Sequence, residues 1–282
     1  MEPSDGSYQI IAQLLSAHTG QELTPSRRWR VKTALAGVFR EHGISNVDQL
    51  ACLLAAPGQN ALIREVIEAL LNNETYFFRD KPTFDQLPDD ILPLLADRRK
   101  DRRRLRIWCA GCSTGQEVHS LAIQFAENAR AWDGWVLEIL GTDISYKAIE
   151  AAQSNNYSQF EVQRGLSVSQ MLDHFDESNE GWRFLSMTPC SVKFQQHNVL
   201  DTPPDTKQFD LILCRNVLLY FGNDTRQRAF SRLHNALADD GFLMLGAGET
   251  VVGHTPIFQP SGDRASLYEP AETEPVRQLL AS

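Results

Sequence analysis

From Leu105 onward, short apolar segments of strand length alternate with segments of helical periodicity. The strand-like segments read LRIWCA, WVLEILGTD, FDLILCRN and GFLMLGAG, and the helical ones are predicted over residues 116–129, 146–152 and 223–238. Strands that alternate with helices form βαβ units, which build a parallel sheet covered by helices on both faces. The pattern therefore predicts an α/β fold, in which ligands bind at the carboxyl ends of the strands.

The first seventy residues predict a small all-α domain. Apolar side chains recur there at helical spacing in three groups, namely Ile10, Ile11, Leu14 and Leu15, then Val31, Ala34, Leu35, Val38 and Phe39, then Leu62, Val66, Ile67 and Leu70. Residues 80–104 carry three prolines and a basic run, which indicates a connector with one short helix. We therefore expect a helical domain at 1–71, a connector at 72–104 and the α/β domain at 105–282.

One segment of the α/β region breaks the alternation. Between residues 167 and 195 the sequence offers a short helix, MLDHF, and then two short β-type runs, GWRFLS and SVKFQQ, around Pro189. Two such runs in succession predict an antiparallel hairpin. We expect a small β insertion at about 167–195.

The 282-residue chain carries a formal net charge of −9, which argues against nucleic acid as its main partner. Its cations are concentrated in residues 26–40 and 98–106, and the simplest interpretation of the second run is a solvated linker or helix face. No apolar run approaches the roughly 18 residues that span a bilayer, the N-terminus lacks signal-peptide features, and the five cysteines lack disulfide spacing. We expect a cytoplasmic protein without direct membrane insertion.

The stretch CAGCSTGQE, residues 109–117, follows the first predicted strand. A structural zinc site needs about four ligands, and no second CxxC or matching histidine pair accompanies Cys109 and Cys112, so we expect no metal. A redox pair normally opens a helix, whereas these cysteines straddle a strand end. Small residues at this position let a ligand approach the main chain, as in a glycine-rich nucleotide turn. No phosphate-binding lysine follows, which disfavours a P-loop.

Two acids narrow the choice of nucleotide. Asp143 ends the second predicted strand, where an acid accepts hydrogen bonds from ribose hydroxyls. This pattern fits either a nicotinamide dinucleotide or S-adenosylmethionine. Glu117, in the first turn of the following helix, disfavours the phosphates of a dinucleotide and suits a cationic sulfonium donor. By itself Glu117 is also compatible with an acid that complements the helix dipole.

Three further stretches carry a family resemblance. NNETYFFRD at 72–80, CAGCSTGQE at 109–117 and FDLILCRNVLLYF at 209–221 together resemble the chemotaxis-receptor glutamate O-methyltransferases, the CheR family. FQQHNVL at 194–200 and GFLMLGAGET at 241–250 are similar to that family's remaining landmarks. The resemblance implies a Rossmann-like class I methyltransferase domain that uses S-adenosylmethionine, yields S-adenosylhomocysteine, and methyl-esterifies glutamates on the cytoplasmic helical bundle of methyl-accepting chemoreceptors. Recruitment to membrane receptor clusters is implied in the same way.

The resemblance also implies roles for single positions. The donor-binding residues that it indicates are Asn73, Thr75, Arg79, Glu117, Asp143, Asn198, Val199, Arg215 and Asn216. Within this set, Glu117 is expected at the methionine portion and Asp143 at the ribose. Asn198 and Val199 are expected to border the adenine. Arg79 and Tyr220 are expected nearest the transferred methyl group, as the catalytic pair.

Substrate docking is assigned to the basic part of the second predicted helix. Receptor methylation regions are rich in glutamate, so the cations there are expected to attract them. The docking residues are Arg27, Arg28, Arg30 and Lys32. A solvated helix face is the competing interpretation of the same residues.

Two segments depart from the family pattern. The family's usual acid-acid-proline-tyrosine run is Gln116-Glu117-Val118-His119 here, and we interpret His119 as a packing substitution rather than a base. The loop DESNEG at 176–181 lacks a glycine cluster, which predicts an enzyme independent of a receptor C-terminal pentapeptide. Two competing functions remain at this level: a non-catalytic adaptor that binds an S-adenosyl ligand, and a nicotinamide dehydrogenase.

Overall fold

The computed structural model describes residues 4–185, 189–264 and 266–271. Its α-helices are α1 (Asp5–Thr19), α2 (Trp29–Ala34), α3 (Ala36–Glu41), α4 (Val47–Leu54), α5 (Asn60–Leu70), α6 (Lys81–Phe84), α7 (Leu92–Arg98), α8 (Gln116–Glu127), α9 (Tyr146–Ser154), α10 (Gln159–Gln163), α11 (Val168–His174) and α12 (Asn223–Ala236). Its strands are β1 (Arg104–Ala110), β2 (Val136–Asp143), β3 (Asn156–Tyr157), β4 (Phe175–Ser178), β5 (Gly181–Phe184), β6 (Cys190–Gln196), β7 (Phe209–Cys214), β8 (Leu237–Leu245), β9 (Phe258–Pro260) and β10 (Leu267–Pro270). Short 3-10 turns occur at Pro25–Arg27, Ala129–Trp132 and Leu218–Tyr220, and a π-helical turn at Leu87–Ile91.

The large sheet has the order β6-β2-β1-β7-β8-β10-β9. The strands from β6 to β8 are parallel to one another, and β10 and β9 complete the edge in antiparallel orientation. With α1–α5 preceding it, this sheet confirms the predicted Rossmann-like α/β fold behind an all-α N-terminal region. No helix in the described part of the chain combines the length and apolar character needed to cross a membrane.

The central strand β1 shows why the sequence forms a sheet covered on both faces. Leu105, Ile107 and Cys109 lie in one buried cluster with the apolar side of α8. Trp108 and Ala110 point the other way and lie in a second cluster with the apolar side of α12. Because both faces are buried, the strand reads as a nearly continuous apolar run rather than as an alternating one.

The predicted insertion is partly wrong. The run SVKFQQ forms β6, which pairs in parallel with β2 from Cys190 opposite Leu137 to Gln196 opposite Asp143, and so belongs to the large sheet. The small antiparallel sheet is built instead from β3, β5 and β4, in that order. Its tight connection leaves only residues 179–180 between β4 and β5. Two-residue periodicity is the same in a hairpin strand and in a half-exposed edge strand, so it could not identify the partner.

The predicted helices form, with shifted ends. The helix predicted over 116–129 ends at Glu127, the one over 146–152 continues to Ser154, and the one over 223–238 ends at Ala236. The second N-terminal helix is interrupted at Leu35, between α2 and α3. Backbone hydrogen bonds from Leu35 to Val31 and from Phe39 to Leu35 bridge the interruption. Each of the three predicted apolar groups contributes to the core of the helical region, and α4, which was not predicted, adds Val47, Leu50 and Leu54.

The basic run at 98–106 is neither a free linker nor a fully solvated face. Arg99 is 2% exposed and donates to Asp210 at 2.5 Å and to both carboxylate oxygens of Asp240 at 2.5 and 2.6 Å. Arg104 pairs with Glu138 at 2.8 Å, and Arg106 pairs with Asp205 at 2.5 Å. Arg99 therefore joins the connector to β7 and β8, and Arg104 and Arg106 link β1 to β2 and to the segment before β7, rather than offering charge to a partner.

Replacing Arg99 by Ala is expected to lower the free energy of unfolding by about 3–5 kcal/mol, because buried Asp210 loses the cation that compensates its charge. Urea unfolding measures the loss. Arg102→Ala is the matched control. Arg102 lies near the same carboxylate, but its contact is long, at 3.8 Å, and its side chain is 63% exposed. Equal, small effects of the two substitutions would show that the buried ion pair contributes nothing.

Candidate active site

The turn between β1 and α8 forms the floor of a cleft. Its glycines have left-handed backbones, with φ of +84° at Gly111 and +95° at Gly115. A β-carbon at Gly111 would overlap Val217, which follows β7, so only glycine fits this close approach. The amides of Gly111 and Cys112 donate to the carbonyl of Thr142 at 2.7 and 2.8 Å. The turn is thereby fixed to the carboxyl end of β2, where Asp143 lies.

Asp143 lies in the cleft wall with its carboxylate already oriented. One oxygen accepts from the amide of Ser113 at 2.9 Å, and the other accepts from the amide of Ser145 at 2.8 Å. Burial raises the pKa of Asp143, and these backbone donors oppose that rise. Each carboxylate oxygen has a second lone pair, so this geometry leaves acceptor capacity for a ligand hydroxyl.

Glu117 is held by a buried arginine. Arg215, whose side chain is 1% exposed, donates to Glu117 at 2.8 Å. The same guanidinium donates to the carbonyl of Arg79 at 2.5 Å and to Asp80 at 3.2 Å. Arg215 therefore ties the sheet, the first turn of α8 and the connector together at one point.

The connector crosses the cleft above the glycine turn. The carbonyl of Asn73 accepts from the hydroxyl of Ser113 at 2.6 Å. The side chain of Asn73 donates to the hydroxyl of Ser145 at 3.2 Å. Ser145 in turn donates to Glu68 of α5 at 2.7 Å, and the amide of Tyr146 donates to the same carboxylate at 2.8 Å. An acid from the helical region therefore caps the N-terminus of α9, where a negative charge is stabilising.

Glu249 supports one wall of the cleft, and sequence reasoning missed it. Its carboxylate accepts from the amides of Asn216 at 2.7 Å, Gly246 at 2.9 Å and Leu219 at 3.2 Å. Burial raises its pKa. The carboxylate fixes the loop after β7, which carries Arg215, Asn216 and Tyr220. The only available signal was its place in the GAGET landmark.

The cleft encloses about 790 Å³, open solvent at its mouth included. All the predicted donor and catalytic residues line it, namely Asn73, Thr75, Arg79, Glu117, Asp143, Asn198, Val199, Arg215, Asn216 and Tyr220. S-adenosylmethionine fits this lining, because carboxylates face it and the buried Oδ1 of Asn216 has no partner among the described protein atoms. The ammonium and hydroxyl groups of that ligand are hydrogen-bond donors.

The predicted docking cations lie outside this lining and differ from one another. The guanidinium of Arg27 lies 4.6 Å from the ring centroid of Tyr220. Arg28 pairs with Asp5 at 2.7 Å. Arg30 donates to Asn72 at 3.0 Å. Lys32 is exposed and forms no ion pair within the described chain. The structure therefore brings Arg27 and Arg30 to the edge of the cleft beside Tyr220.

His119 supports the glycine turn from within the core. Its Nδ1 lies 2.7 Å from the hydroxyl of Tyr157, which donates to the carbonyl of Thr114 at 3.0 Å. That hydroxyl has one hydrogen, so Nδ1 of His119 must be the donor in the first bond. The ring stacks on Phe184 with centroids 4.1 Å apart. Burial lowers the pKa of His119 to about 3, so the ring is neutral at pH 7, which agrees with a packing role.

The fold and this cleft define a class I S-adenosylmethionine-dependent methyltransferase. The family model for the S-adenosylmethionine-binding domain of CheR methyltransferases matches residues 73–266, and the chain belongs to this family. It is 30% identical to chemotaxis protein methyltransferase Cher2 of Pseudomonas putida, over 92% of this chain and 95% of that protein. It is also 30% identical to chemotaxis protein methyltransferase 1 of Pseudomonas aeruginosa, over 89% and 92% of the two chains. The corresponding Borreliella burgdorferi protein is 29% identical, over 86% and 88%.

The stability of the fold is expected to depend on pH through His119. Its folded pKa of about 3 lies below the unfolded value near 6.5, so unfolding takes up a proton between these values. The contribution of neutral His119 to the free energy of unfolding is therefore fully present above about pH 6.5. It is lost as the pH falls below that value, by up to about 1.4 kcal/mol per pH unit.

His119→Phe keeps an aromatic ring on Phe184 but cannot take up the proton. We expect its free energy of unfolding in urea to fall less than that of the wild type between pH 6.5 and pH 4.5. Other groups titrate in both proteins, so the difference isolates His119. Parallel pH profiles would contradict a buried neutral imidazole.

Proposed function

We propose that the protein transfers the methyl group of S-adenosylmethionine to glutamate side chains on the cytoplasmic helices of chemoreceptors, forming methyl esters for sensory adaptation. The observation that carries the proposal is the convergence of the connector, the carboxyl ends of the sheet and the loop after β7 on one cleft. The names of the relatives, chemotaxis protein methyltransferases, indicate the pathway.

The proposed reaction does not require the protein to remove a proton from the substrate. A glutamate carboxylate is ionised at neutral pH, with a reference pKa near 4.3, so it can attack an electrophilic methyl group without a general base. S-adenosylmethionine supplies that methyl group on a positively charged sulfur. Opposite charges neutralise each other as the new bond forms, so exclusion of water from the cleft favours the reaction. The protein must mainly hold nucleophile, carbon and sulfur in line.

We assign to Arg79 and Tyr220 the role of orienting the substrate carboxylate. Arg79 is half-buried in the cleft wall, and one of its nitrogens donates to the carbonyl of Glu74 at 2.9 Å. Its remaining donors are available for a charge-assisted contact with one carboxylate oxygen. Too strong a contact with the attacking oxygen would reduce its reactivity, so the role is positioning of the substrate rather than its activation. The Tyr220 hydroxyl complements Arg79 from another wall of the cleft.

The remaining cleft residues hold the donor. We assign Glu117 to the methionine portion and Asp143 to the ribose hydroxyls, with Asn198 and Val199 at the adenine. Asn73, Thr75, Arg215 and Asn216 complete the walls. The assignment of Asp143 also rests on its geometry, because a carboxylate oriented by two backbone amides suits a diol.

The helical domain at 1–71 is proposed to dock the receptor bundle, with the connector at 72–104 completing the donor pocket of the α/β domain at 105–282. Arg27, Arg28, Arg30 and Lys32 supply cations for glutamate-rich helices. The proposed setting is the cytoplasm at membrane receptor clusters. The tight β4–β5 connection supports independence from a receptor pentapeptide.

Transfer of tritiated methyl groups from the donor to purified receptor cytoplasmic fragments tests the function. Base-labile release of the label as methanol is expected and distinguishes an ester from other methylated groups. Calorimetry with S-adenosylhomocysteine and with NAD separates the alternatives: an adaptor binds the first without transferring methyl groups, and a dehydrogenase binds the second. Either result would overturn the proposal.

Arg79→Ala is expected to lower receptor methylation at least about tenfold, because one charge-assisted contact contributes roughly 1.5–3 kcal/mol. Arg79 is also one of the residues expected to bind the donor, so affinity for S-adenosylhomocysteine is measured in parallel and is expected to fall less than methylation. Arg79→Lys should recover part of the activity, since it keeps one charged donor. Unchanged methylation in Arg79→Ala would refute the role.

Lys32→Glu is expected to raise the Michaelis constant for receptor fragments several-fold at low salt and less at high salt, because surface charge acts over about one Debye length. Lys100→Glu, the same charge reversal at an exposed lysine of the other basic run, is the matched control. If both substitutions act alike, net charge rather than a docking surface is responsible.

A further inference from the structure

A chain of hydrogen bonds connects the basic helix to the proposed catalytic tyrosine. Arg30 of α2 donates from its guanidinium to Oδ1 of Asn72 at 3.0 Å. Nδ2 of Asn72 donates to the hydroxyl oxygen of Tyr220 at 2.6 Å. Asn72 is the first residue of the connector segment and lies in contact with both the cleft and a neighbouring cavity of about 390 Å³. Arg30 and Tyr220 also line that cavity.

The chemistry of the three groups fixes the direction of both bonds. A guanidinium can only donate, so the amide oxygen of Asn72 must face Arg30. The amide nitrogen must then face Tyr220, and it too can only donate. The phenol oxygen of Tyr220 is therefore the acceptor, and its single hydrogen is not used in this bond.

The hydrogen of Tyr220 is left for a ligand. Among residues 4–185, 189–264 and 266–271, no protein atom accepts from this hydroxyl. Arg27 lies over one face of the ring, with its guanidinium carbon 4.6 Å from the centroid. A second contact fixes the adjoining backbone, because the amide of Glu22 donates to the carbonyl of Tyr220 at 2.8 Å. Arg27 thus covers one face of the ring and the Glu22 contact fixes its backbone, while Tyr220 lines the cleft.

We propose that Asn72, oriented by Arg30, is a positioning residue that sets the Tyr220 hydroxyl as a donor toward the substrate carboxylate. The inference rests on the proposed methyl transfer to a carboxylate. In this arrangement the hydroxyl hydrogen binds the carboxylate oxygen that does not attack. The attacking oxygen keeps its lone pairs free for the methyl carbon.

The arrangement gives Arg30 a function apart from docking. Loss of its contact allows the Asn72 amide to turn, and an amide oxygen facing Tyr220 would accept the hydroxyl hydrogen. The substrate carboxylate would then meet the lone pairs of Tyr220 instead of a donor. Part of the effect of Arg30 is therefore expected on turnover, whereas the exposed Lys32 is expected to act on the Michaelis constant.

Asn72→Asp is the sharpest test, because it preserves shape and the contact with Arg30 but replaces the donor by an acceptor. Asn72→Ala removes the group without adding charge. Each is made in the wild type and in Tyr220→Phe, and receptor methylation gives kcat and KM for every variant. Asn60→Asp, the same chemical change at the exposed first residue of α5, is the matched control.

We expect kcat to fall about tenfold in Asn72→Ala and further in Asn72→Asp, in keeping with one lost hydrogen bond to a charged group. In the Tyr220→Phe background the effect of Asn72→Ala should shrink to less than about twofold, since the two residues act through one group. Affinity for S-adenosylhomocysteine should stay constant. Wild-type kcat in Asn72→Asp, or an equal loss with and without the hydroxyl, would overturn the proposal.

Thermal unfolding of the same variants separates this inference from the proposed function. If Asn72 and Tyr220 are bonded, their substitutions shift the melting midpoint by less together than the sum of the separate shifts. Additive shifts refute the hydrogen-bond chain whatever the activity. A wild-type protein that methylates no receptor fragment refutes the proposed function, and with it the catalytic role of the chain, while the midpoints still decide whether the chain exists.

Discussion

The buried guanidinium of Arg215 is the interaction on which the cleft depends. It neutralises Glu117 on α8 and holds the connector through Asp80 and the carbonyl of Arg79. A charge so well shielded from water is tolerated only when it is paired, so its partners are constrained as strictly as the arginine itself. The connector therefore cannot move away from the sheet without exposing two opposite charges at an apolar boundary. The position of Arg79 at the cleft follows from this constraint.

A second set of contacts joins the helical region to the walls of the cleft. Glu68 caps α9 beside Asp143, and Asn73 reaches the same Ser145 hydroxyl. Arg27 and Arg30 extend the arrangement to Tyr220 on the opposite wall. The cations proposed to dock the substrate and the residues proposed to bind the donor are thus neighbours in the structure. Substitutions in the helical region are therefore expected to alter the cleft through these few polar groups.

The large features were predictable because their causes are local. Continuous apolar runs indicate strands buried on both faces, and small residues after β1 indicate a close approach of main chain and ligand. The missed features depend on partners far away in sequence. Asn72 and Tyr220 are 148 residues apart, and Arg99 is 111 residues from Asp210. The run SVKFQQ, predicted as part of a hairpin, belongs to the large sheet for the same reason. The residue pattern of a strand does not determine which strand it pairs with.

The ion pairs of residues 98–106 have a consequence for how the molecule meets an anionic partner. Arg99, Arg104 and Arg106 are neutralised where they stand, so they add little to the field at a distance. Arg27 and Arg30 lie beside Tyr220 and Asn72 without a carboxylate partner in the described chain, so uncompensated cationic charge is present there on an otherwise acidic protein. Such an asymmetric charge distribution exerts a torque during diffusion and would turn the cleft toward the glutamate-rich helices of the proposed substrate before contact. At physiological ionic strength this torque acts only over about the last 8 Å, so it selects orientation rather than range.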